Sequence, residues 1–216
     1  MKRKIILWIL VSSFLTRFLW ASPVKVWHET VPGAATQVKA EGVLKASPDD
    51  VWKYLIRFNE YDRFMPRVIE SFFISEEGVQ ALKKAPTRNA NRLRHVARPF
   101  KIDLQEQTGQ IWKGFVFMVV DAPFPVENRW YVLKMTMDES RSNEHRYERC
   151  WTLVAGNIKS ADGCWSVEPA KEGSFSVSHY QDHINLGGKV PEWVSRIGAT
   201  QTVPQMFESL EKVARK

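Results

Sequence analysis

Hydrophobic and polar residues alternate with a period of two in the clearest segment of this chain, which begins at Arg129. Tyr131, Leu133 and Met135 occupy every second position after it. This period is typical of a β-strand, because successive side chains point to opposite faces of a sheet. The face that carries Arg129 is wide and apolar, with one cation at its end. It therefore favours a cavity for an amphipathic small molecule over a catalytic centre.

Other alternating or apolar runs predict further strands. The run that ends at Val120 is almost continuously apolar, so we expect its strand to be covered on both faces, with Phe115 and Phe117 towards the cavity. Two polar runs separated by Pro99 predict exposed strands. The predicted strands cover residues 37–45, 68–74, 92–98, 101–107, 114–120, 129–137, 146–155, 164–168 and 173–185.

The last predicted strand has two distinct faces. Phe175, Val177 and His179 share one of them, and we expect this face to line the cavity. His183 lies on the same face, but a metal site needs further ligands that the sequence does not place beside the two histidines. The sequence also contains no glycine-rich phosphate loop and no nucleophile elbow, so it predicts neither a metal nor a cofactor.

Two helices frame the strands. Ser47 is a good N-cap residue, and the apolar stripe after it predicts a first helix that ends near Asn59. A second stripe, over residues 190–214, predicts a long terminal helix that Gly198 and Pro204 interrupt. The order of strand, helix, consecutive strands and terminal helix predicts an α+β fold. In that fold an antiparallel sheet wraps around the long C-terminal helix.

The N-terminus predicts export. Three basic residues precede an apolar run over residues 5–15, and Ala21 offers a small residue at a cleavage point. This pattern is typical of a signal peptide over residues 1–21 and predicts a periplasmic or secreted protein. An uncleaved N-terminal anchor is the alternative. We expect residues 22–35 to form an N-terminal extension and residues 36–216 to form one ligand-binding domain.

The formal net charge of +7 on 216 residues invites comparison with proteins that bind nucleic acid. Four of the positive charges lie before residue 22, in a segment without acids, so the rest of the chain carries only +3. We expect this remainder to be spread along the chain without a basic block. The sequence therefore predicts no nucleic-acid partner.

The only two cysteines are Cys150 and Cys164, and export permits them to pair. A hairpin centred on Asn157 sets them opposite each other. The same register places Arg146 opposite Glu168 and collects polar partners on one face, as a correct register requires. The sequence thus favours a disulfide, with two free thiols in a strand pair as the alternative.

Three segments together resemble one known family. Pro123, Pro125 and Arg129 form a Pro-x-Pro-x-x-x-Arg element before the long strand, and residues 46–66 and 187–210 are similar to the family's first and closing helices. The family is that of the START lipid-transfer domains, within the helix-grip superfamily of polyketide cyclases and lipid carriers. The likeness covers residues 36–214.

This resemblance implies a cavity between the sheet and the terminal helix, which acts as a lid. An arginine in the family's equivalent element often faces the cavity. Here Arg129 either binds a ligand oxygen or forms an ion pair with an acid such as Asp121 or Glu127. Trp193, in the first turn of the predicted lid, is the tryptophan that we expect to contact ligand. The expected ligand-binding residues are Phe115, Phe117, Arg129, Tyr131, Leu133, Met135, Phe175, Val177, His179, Trp193, Ile197 and Met206.

Three functions remain open on the sequence alone. The first is an exported, non-catalytic carrier of a hydrophobic, lipid-like small molecule, with transient membrane contact. The second is a cyclase or hydrolase of the same superfamily, with Arg129, His179 or Tyr131 as acid–base groups. No pair of titratable residues has a spacing that favours this enzyme. The third is an interaction protein whose cavity is closed by its own side chains.

Overall fold

Eight antiparallel strands form one sheet in the computed structural model, which describes residues 24–31, 35–103, 110–122, 126–171, 174–187, 190, 194 and 197–216. The strands are β1 (Lys25–Val31), β2 (Ala35–Leu44), β3 (Val68–Ile74), β4 (Ile111–Val120), β5 (Arg129–Asp138), β6 (Tyr147–Gly156), β7 (Ser160–Pro169) and β8 (Ser176–Asn185). Their order across the sheet is β1-β2-β8-β7-β6-β5-β4-β3. The first hairpin therefore joins the last strand, and the other strands follow as a meander.

Helices cover both faces of this sheet. The α-helices with defined bounds are α1 (Pro48–Leu55), α2 (Tyr61–Phe64), α3 (Glu76–Lys84), α4 (Ala90–Ala97) and α5 (Val203–Ala214). A π-helical turn, Gly198–Thr202, precedes α5. None of the helices in the described ranges combines the length and the apolar character needed to cross a bilayer.

The inner face of the sheet, which carries Val116, Leu133 and Trp165, packs against α1 and α5. Gly42 on β2 permits a close approach of α5, because an added Cβ there would lie 2.9 Å from Cδ1 of Phe207. The Phe207 ring in turn stacks on Trp165, with 5.0 Å between the ring centroids. The expected α+β fold, with an antiparallel sheet wrapped around a C-terminal helix, is confirmed.

The outer face of the sheet carries a second apolar core beneath α3 and α4. Phe117 and Val119 of β4 pack there with Leu82 of α3 and Leu93 of α4. Buried aliphatic and aromatic side chains on both sides of the sheet make this half of the protein three layers thick.

Strand β4 is thus buried on both faces, as its continuous apolar run predicted. Val116 and Met118 point to the inner core, whereas Phe115 and Phe117 point to the outer core. The expectation that Phe115 and Phe117 line the cavity is wrong. A strand that is apolar on both faces gives no signal as to which face is the inner one.

Residues 92–98 are largely helical, so the exposed strand predicted there is also wrong. Leu93 and Ala97 are buried at helical spacing. The side chain of Asn89 accepts a hydrogen bond of 3.2 Å from the backbone N–H of Arg92 and caps α4. Charged and apolar residues alternate here over too few positions to distinguish a strand from a short helix.

The sheet begins earlier than the sequence indicated. Strand β1 was not predicted, yet it pairs with β2 from Lys25 opposite Glu41 to Val31 opposite Ala35. Half of the segment expected to be an N-terminal extension therefore supplies an edge strand. The predicted signal peptide over residues 1–21, residues 104–107 of the second polar strand, and Trp193 all lie outside the described residues.

The terminal helix differs from its prediction in one respect. Gly198 begins the π-helical turn, so the expected interruption is present at that residue. Pro204 instead occupies the first turn of α5 rather than a helix interior. Proline is tolerated there because the N–H groups of a first helical turn have no intrahelical partner.

The cysteine hairpin is confirmed, including its register. Cys150 pairs with Cys164 across β6 and β7, and the two form a disulfide. The Arg146 guanidinium lies 2.7 Å from the Glu168 carboxylate, as the predicted register required.

Replacing Cys150 and Cys164 with serine should lower the free energy of unfolding by about 2–4 kcal/mol, because the bridge restricts the unfolded chain. The two cysteines are 14 residues apart in the sequence, so the bridge closes a loop of ordinary size. Urea titration of the purified oxidised protein measures the change, with Ser166→Ala on the same hairpin as the control. Equal unfolding midpoints for the double-serine variant and the control would contradict a stabilising role.

Candidate functional site

A cavity of about 260 Å³ lies between the inner face of the sheet and the C-terminal segment. Tyr131, Leu133 and Met135 of β5 form one wall, and Ile197 and Met206 face them from the helical side. The alternation of β5 therefore predicted its inner face correctly. Further apolar side chains of the lining include Val38, Phe58, Met65, Met118, Trp151, Ala161, Ile184, Leu186 and Val194.

The cavity reaches the surface where β4 ends and β5 begins. Arg67 and Asp121 line it there, and their side chains are 32% and 56% exposed. They form an ion pair of 3.4 Å. Arg67 has a φ of 60°, a left-handed conformation that is uncommon for arginine. We call this end of the cavity the mouth.

Arg129 lies at the mouth and also lines the cavity. Its Nε atom is buried and has no hydrogen-bond partner in the described part of the chain. Asp121, one of the two acids considered as its partner, pairs with Arg67 instead. Arg129 thus has a buried donor without a partner among the described residues, and its side chain lines the cavity.

A second arginine, Arg149 of β6, lies deeper along the cavity wall and is only 5% exposed. Its Nη1 donates hydrogen bonds to the backbone carbonyl of Leu55 and to the hydroxyl of Tyr61. The guanidinium also lies within 5.0–5.9 Å of the ring centroids of Phe58, Tyr61, Trp151 and Trp165. Such contacts stabilise a cation that burial removes from water.

The Nε atom of Arg149 is also buried and without a partner among the described residues, as is Oγ1 of Thr202. Both residues line the cavity. Sequence reasoning did not select Arg149, although a hairpin centred on Asn157 also places it opposite Trp165, as the structure does. The signal was available, since Arg149 and Trp151 share a face of β6 and a bulky tryptophan indicates the buried side.

Asp182 of β8 is a buried carboxyl group in the same wall. It accepts hydrogen bonds from Nε1 of Trp151 at 3.2 Å and from the hydroxyl of Tyr180 at 3.1 Å. Burial raises the pKa of Asp182 to about 6, because desolvation outweighs the two hydrogen bonds that favour the charged form. Its proton is therefore lost within the range of pH that cells and their surroundings experience.

Two tyrosines beside Asp182 are poor proton donors. Burial, with a smaller contribution from the negative charge of Asp182, raises the pKa of Tyr131 and of Tyr180 well above the ordinary range. Both hydroxyls therefore stay protonated at neutral pH. They can orient a ligand by hydrogen bonding, but they do not supply a group that titrates near neutrality.

The face of β8 that was expected to line the cavity is the wrong one. Val177 is half-buried and His179 is exposed on the outer face, with His179 lying 3.7 Å from both Glu41 and Glu168. Phe175 precedes the strand and does not line the cavity. Tyr180 and Asp182 line it instead.

The reason for this error lies in the packing of α1. Ser176 and Ser178 are fully buried on the inner face of β8, against which α1 packs. Small side chains allow a helix to lie close to a strand, so the larger Val177 points outward beside α1, whereas Tyr180 points inward further along β8. Alternation of large and small residues was mistaken for alternation of inner and outer positions.

Comparisons with known proteins agree with this fold. The sequence profile of the family described as polyketide cyclase / dehydrase and lipid transport matches residues 44–211. The chain therefore belongs to that family and to the START-like helix-grip superfamily. Among curated proteins, no significant match is found.

Solved structures extend the comparison. The STAR-related lipid transfer protein from Xanthomonas axonopodis has a TM-score of 0.62 at 22% identity, covering 91% of this chain and 96% of that one. Human STARD10 has a TM-score of 0.60 at 13% identity, covering 90% and 70%. The Zhui aromatase/cyclase from Streptomyces has a TM-score of 0.54 at 12% identity, covering 84% and 94%. At these identities the likeness establishes the fold alone.

Replacing Asp182 with asparagine should flatten the dependence of stability on pH. The folded-state pKa of about 6 exceeds the ordinary value, so folded protein binds the proton more readily than unfolded protein. The free energy of unfolding of the wild type should therefore fall as the pH rises from about 4 to about 6. Asp182 accounts for a fall on the order of 3 kcal/mol, which the variant should lack.

Urea titrations at several pH values in this range measure that fall. Asp62→Asn, which removes an exposed carboxyl group, is the matched control and should behave as the wild type does. A variant Asp182→Asn whose stability falls with pH as steeply as that of the control would show that Asp182 titrates as an ordinary carboxyl group.

Proposed function

We propose that this protein is an exported, non-catalytic carrier of a hydrophobic, lipid-like molecule that bears an acceptor oxygen. The observation that carries the proposal is the pair of arginine donors without a partner among the described residues, Nε of Arg129 and Nε of Arg149, in the wall of a mostly apolar cavity. A carboxylate, a phosphate or a quinone oxygen would supply the partner that the described residues do not.

The energetics of burial support this ligand chemistry. A polar group without a hydrogen-bond partner in an apolar environment costs about 1–3 kcal/mol, and more when it is charged. A ligand oxygen that accepts from either Nε removes this cost and gains a charge-assisted hydrogen bond. The apolar part of the ligand then gains about 25 cal/mol for each Å² that it buries against Leu133, Met135 and Met206.

The positions of the acid–base candidates favour a carrier over an enzyme. His179 lies outside the cavity, and the pKa of Tyr131 is raised by burial, so neither supplies a proton-transfer group at neutral pH. Among the described residues, Asp182 is the one that favours a cyclase-type enzyme, because a carboxyl group with a pKa of about 6 can act as a general acid or base. The enzyme is therefore the second candidate. An open cavity argues against the interaction protein.

Export is part of the proposal. The disulfide between Cys150 and Cys164 is of a kind that persists in oxidising compartments. Together with the signal-like sequence of residues 1–21, it supports a periplasmic or secreted location. N-terminal sequencing of the protein recovered from the culture medium or periplasm tests this part, since a chain that still begins at Met1 would contradict removal of the leader.

Native mass spectrometry of the purified protein, with chemical extraction of whatever it carries, tests the function as a whole. A co-purifying lipid-like molecule that is released unchanged supports the carrier. Conversion of that molecule during incubation would establish the enzyme instead. A protein without cargo that binds no fluorescent fatty acid would contradict both.

Replacing Met206 with tryptophan should weaken the binding of a fluorescent fatty acid at least tenfold. Met206 lines the cavity, and the larger indole would occupy space that the ligand needs. Gln205→Trp places the same side chain at an exposed neighbouring position of α5 and is the control. Fluorescence titration measures the dissociation constants. Unchanged binding by Met206→Trp would mean that the fatty acid lies elsewhere.

Replacing Arg129 with methionine should weaken the binding of the fluorescent fatty acid about tenfold or more, because a hydrogen bond to a charged group contributes roughly 1.5–3 kcal/mol. A fluorescent hydrocarbon of similar length should bind the variant and the wild type alike. Arg67→Met is the control at the mouth, because the Arg67 guanidinium already pairs with Asp121. Equal losses for the acid and the hydrocarbon would show that Arg129 acts on cavity shape rather than on the ligand oxygen.

A further inference from the structure

The helical hairpin formed by α3 and α4 carries a concentration of positive charge. Residues 78–102 contain seven lysines and arginines and no acid. The expectation that the charge of the chain after residue 21 is spread without a basic block is therefore wrong. The net value of +3 after residue 21 concealed it, because acids elsewhere in the chain offset the charges of this segment.

Two of these charges have ion partners, and the other five have none among the residues that the structure describes. Glu70 on β3 forms ion pairs with Arg94 and Arg98. Five further basic side chains are exposed and form no ion pair within the described ranges. They are Lys83, Lys84, Arg88, Arg92 and Lys101.

The unpaired charge is concentrated at one end of the hairpin. The backbone N–H of Ser75 donates to the carbonyl of Phe100 at 3.0 Å, so the start of α3 lies beside the end of the α4 segment. Glu76 and Glu77, in the first turn of α3, therefore lie near the Lys101 end. Four basic residues lie at the opposite end of the hairpin, and the stretch that contains them, residues 78–102, has no acidic residue. We call these four, Lys83, Lys84, Arg88 and Arg92, the basic cluster.

The basic cluster lies at the same end of the sheet as the cavity mouth. The indole N–H of Trp130 donates to the backbone carbonyl of Arg88 at 3.0 Å. Trp130 directly follows Arg129, which lines the mouth. The hydrogen bond thus fixes the start of α4 beside the strand that carries the mouth arginine.

We propose that the basic cluster docks the protein on a membrane surface that contains anionic phospholipid, with the cavity mouth at the edge of the contact. The inference rests on the proposed function in one respect, which is that a lipid-like ligand must move between the cavity and a bilayer. Exposed lysines and arginines without ion partners gain free energy near negative headgroups without needing a shaped pocket. A nucleic acid offers the same charge but no source for an apolar ligand.

Flotation of the purified protein with vesicles tests the proposal. Vesicles of phosphatidylcholine alone are compared with vesicles of phosphatidylcholine mixed with phosphatidylglycerol. We expect binding to the mixed vesicles only, and loss of that binding at high salt, since salt screens exposed charges. Failure of the wild-type protein to bind the mixed vesicles at low salt would overturn the proposal.

A fourfold variant, Lys83→Gln, Lys84→Gln, Arg88→Gln and Arg92→Gln, should reduce the partition coefficient more than a hundredfold. Each basic residue near an anionic surface contributes about a factor of five. The matched control removes four exposed lysines outside the cluster: Lys39, Lys53, Lys113 and Lys212. It carries the same net charge as the variant and should lose far less binding. Equal losses would show a general attraction of a basic protein and would overturn the proposal.

Two further measurements separate the alternatives. Both fourfold variants should bind the fluorescent fatty acid in solution as the wild type does. A protein that loses vesicle binding but keeps the fatty acid supports the docking surface, whereas a wild type that binds vesicles but no fatty acid refutes only the proposed function. Binding to duplex DNA is the last comparison. If it depends on the basic cluster and is tighter than binding to the mixed vesicles, the cluster is a nucleic-acid site and the proposal of membrane docking is overturned.

Discussion

A positive charge buried in the cavity wall connects the sheet to the helices that surround it. Arg149 extends from β6 and donates to the carbonyl of Leu55 at the end of α1. Its guanidinium also contacts the ring of Trp165, which stacks on Phe207 of α5. Because a buried cation without partners is costly, the carbonyl and the rings around it must be in place together. The position of α1, the packing of α5 and the shape of the cavity are therefore coupled through one side chain.

The two faces of the sheet serve different purposes. The inner face combines apolar walls with Arg129, Arg149 and Asp182, and these polar groups lie within a space that is otherwise apolar. The outer face of the β3–β5 half is covered by α3 and α4 through side chains such as Phe117. Strand β4 can serve both faces only because nearly all of its residues are apolar. A polar residue in the middle of this strand would disturb either the cavity wall or the attachment of the helical hairpin.

Much of the fold could be predicted because strong local signals agreed with each other. The alternation after Arg129 gave the correct inner face of β5, and the cysteine spacing gave the correct register of the β6–β7 hairpin. The face of β8 could not be predicted in the same way, because a period of two separates two faces without saying which is inside. Packing of α1 decides that question through Ser176 and Ser178. Asp182 was missed for this reason, since it lies on the face that was assigned to solvent.

The disulfide has a consequence for the composition of the cavity wall. Cys150 lies between Arg149 and Trp151, whose side chains point inward, and it is paired with Cys164 on the neighbouring strand. A slip of β6 by one residue against β7 would turn every side chain of the slipped strand to the opposite face. Arg149 would then point to solvent, and the wall would lose its cation. The covalent bond prevents that slip. It therefore fixes the register of β6 against β7 and keeps the charged side chain of Arg149 facing an apolar space.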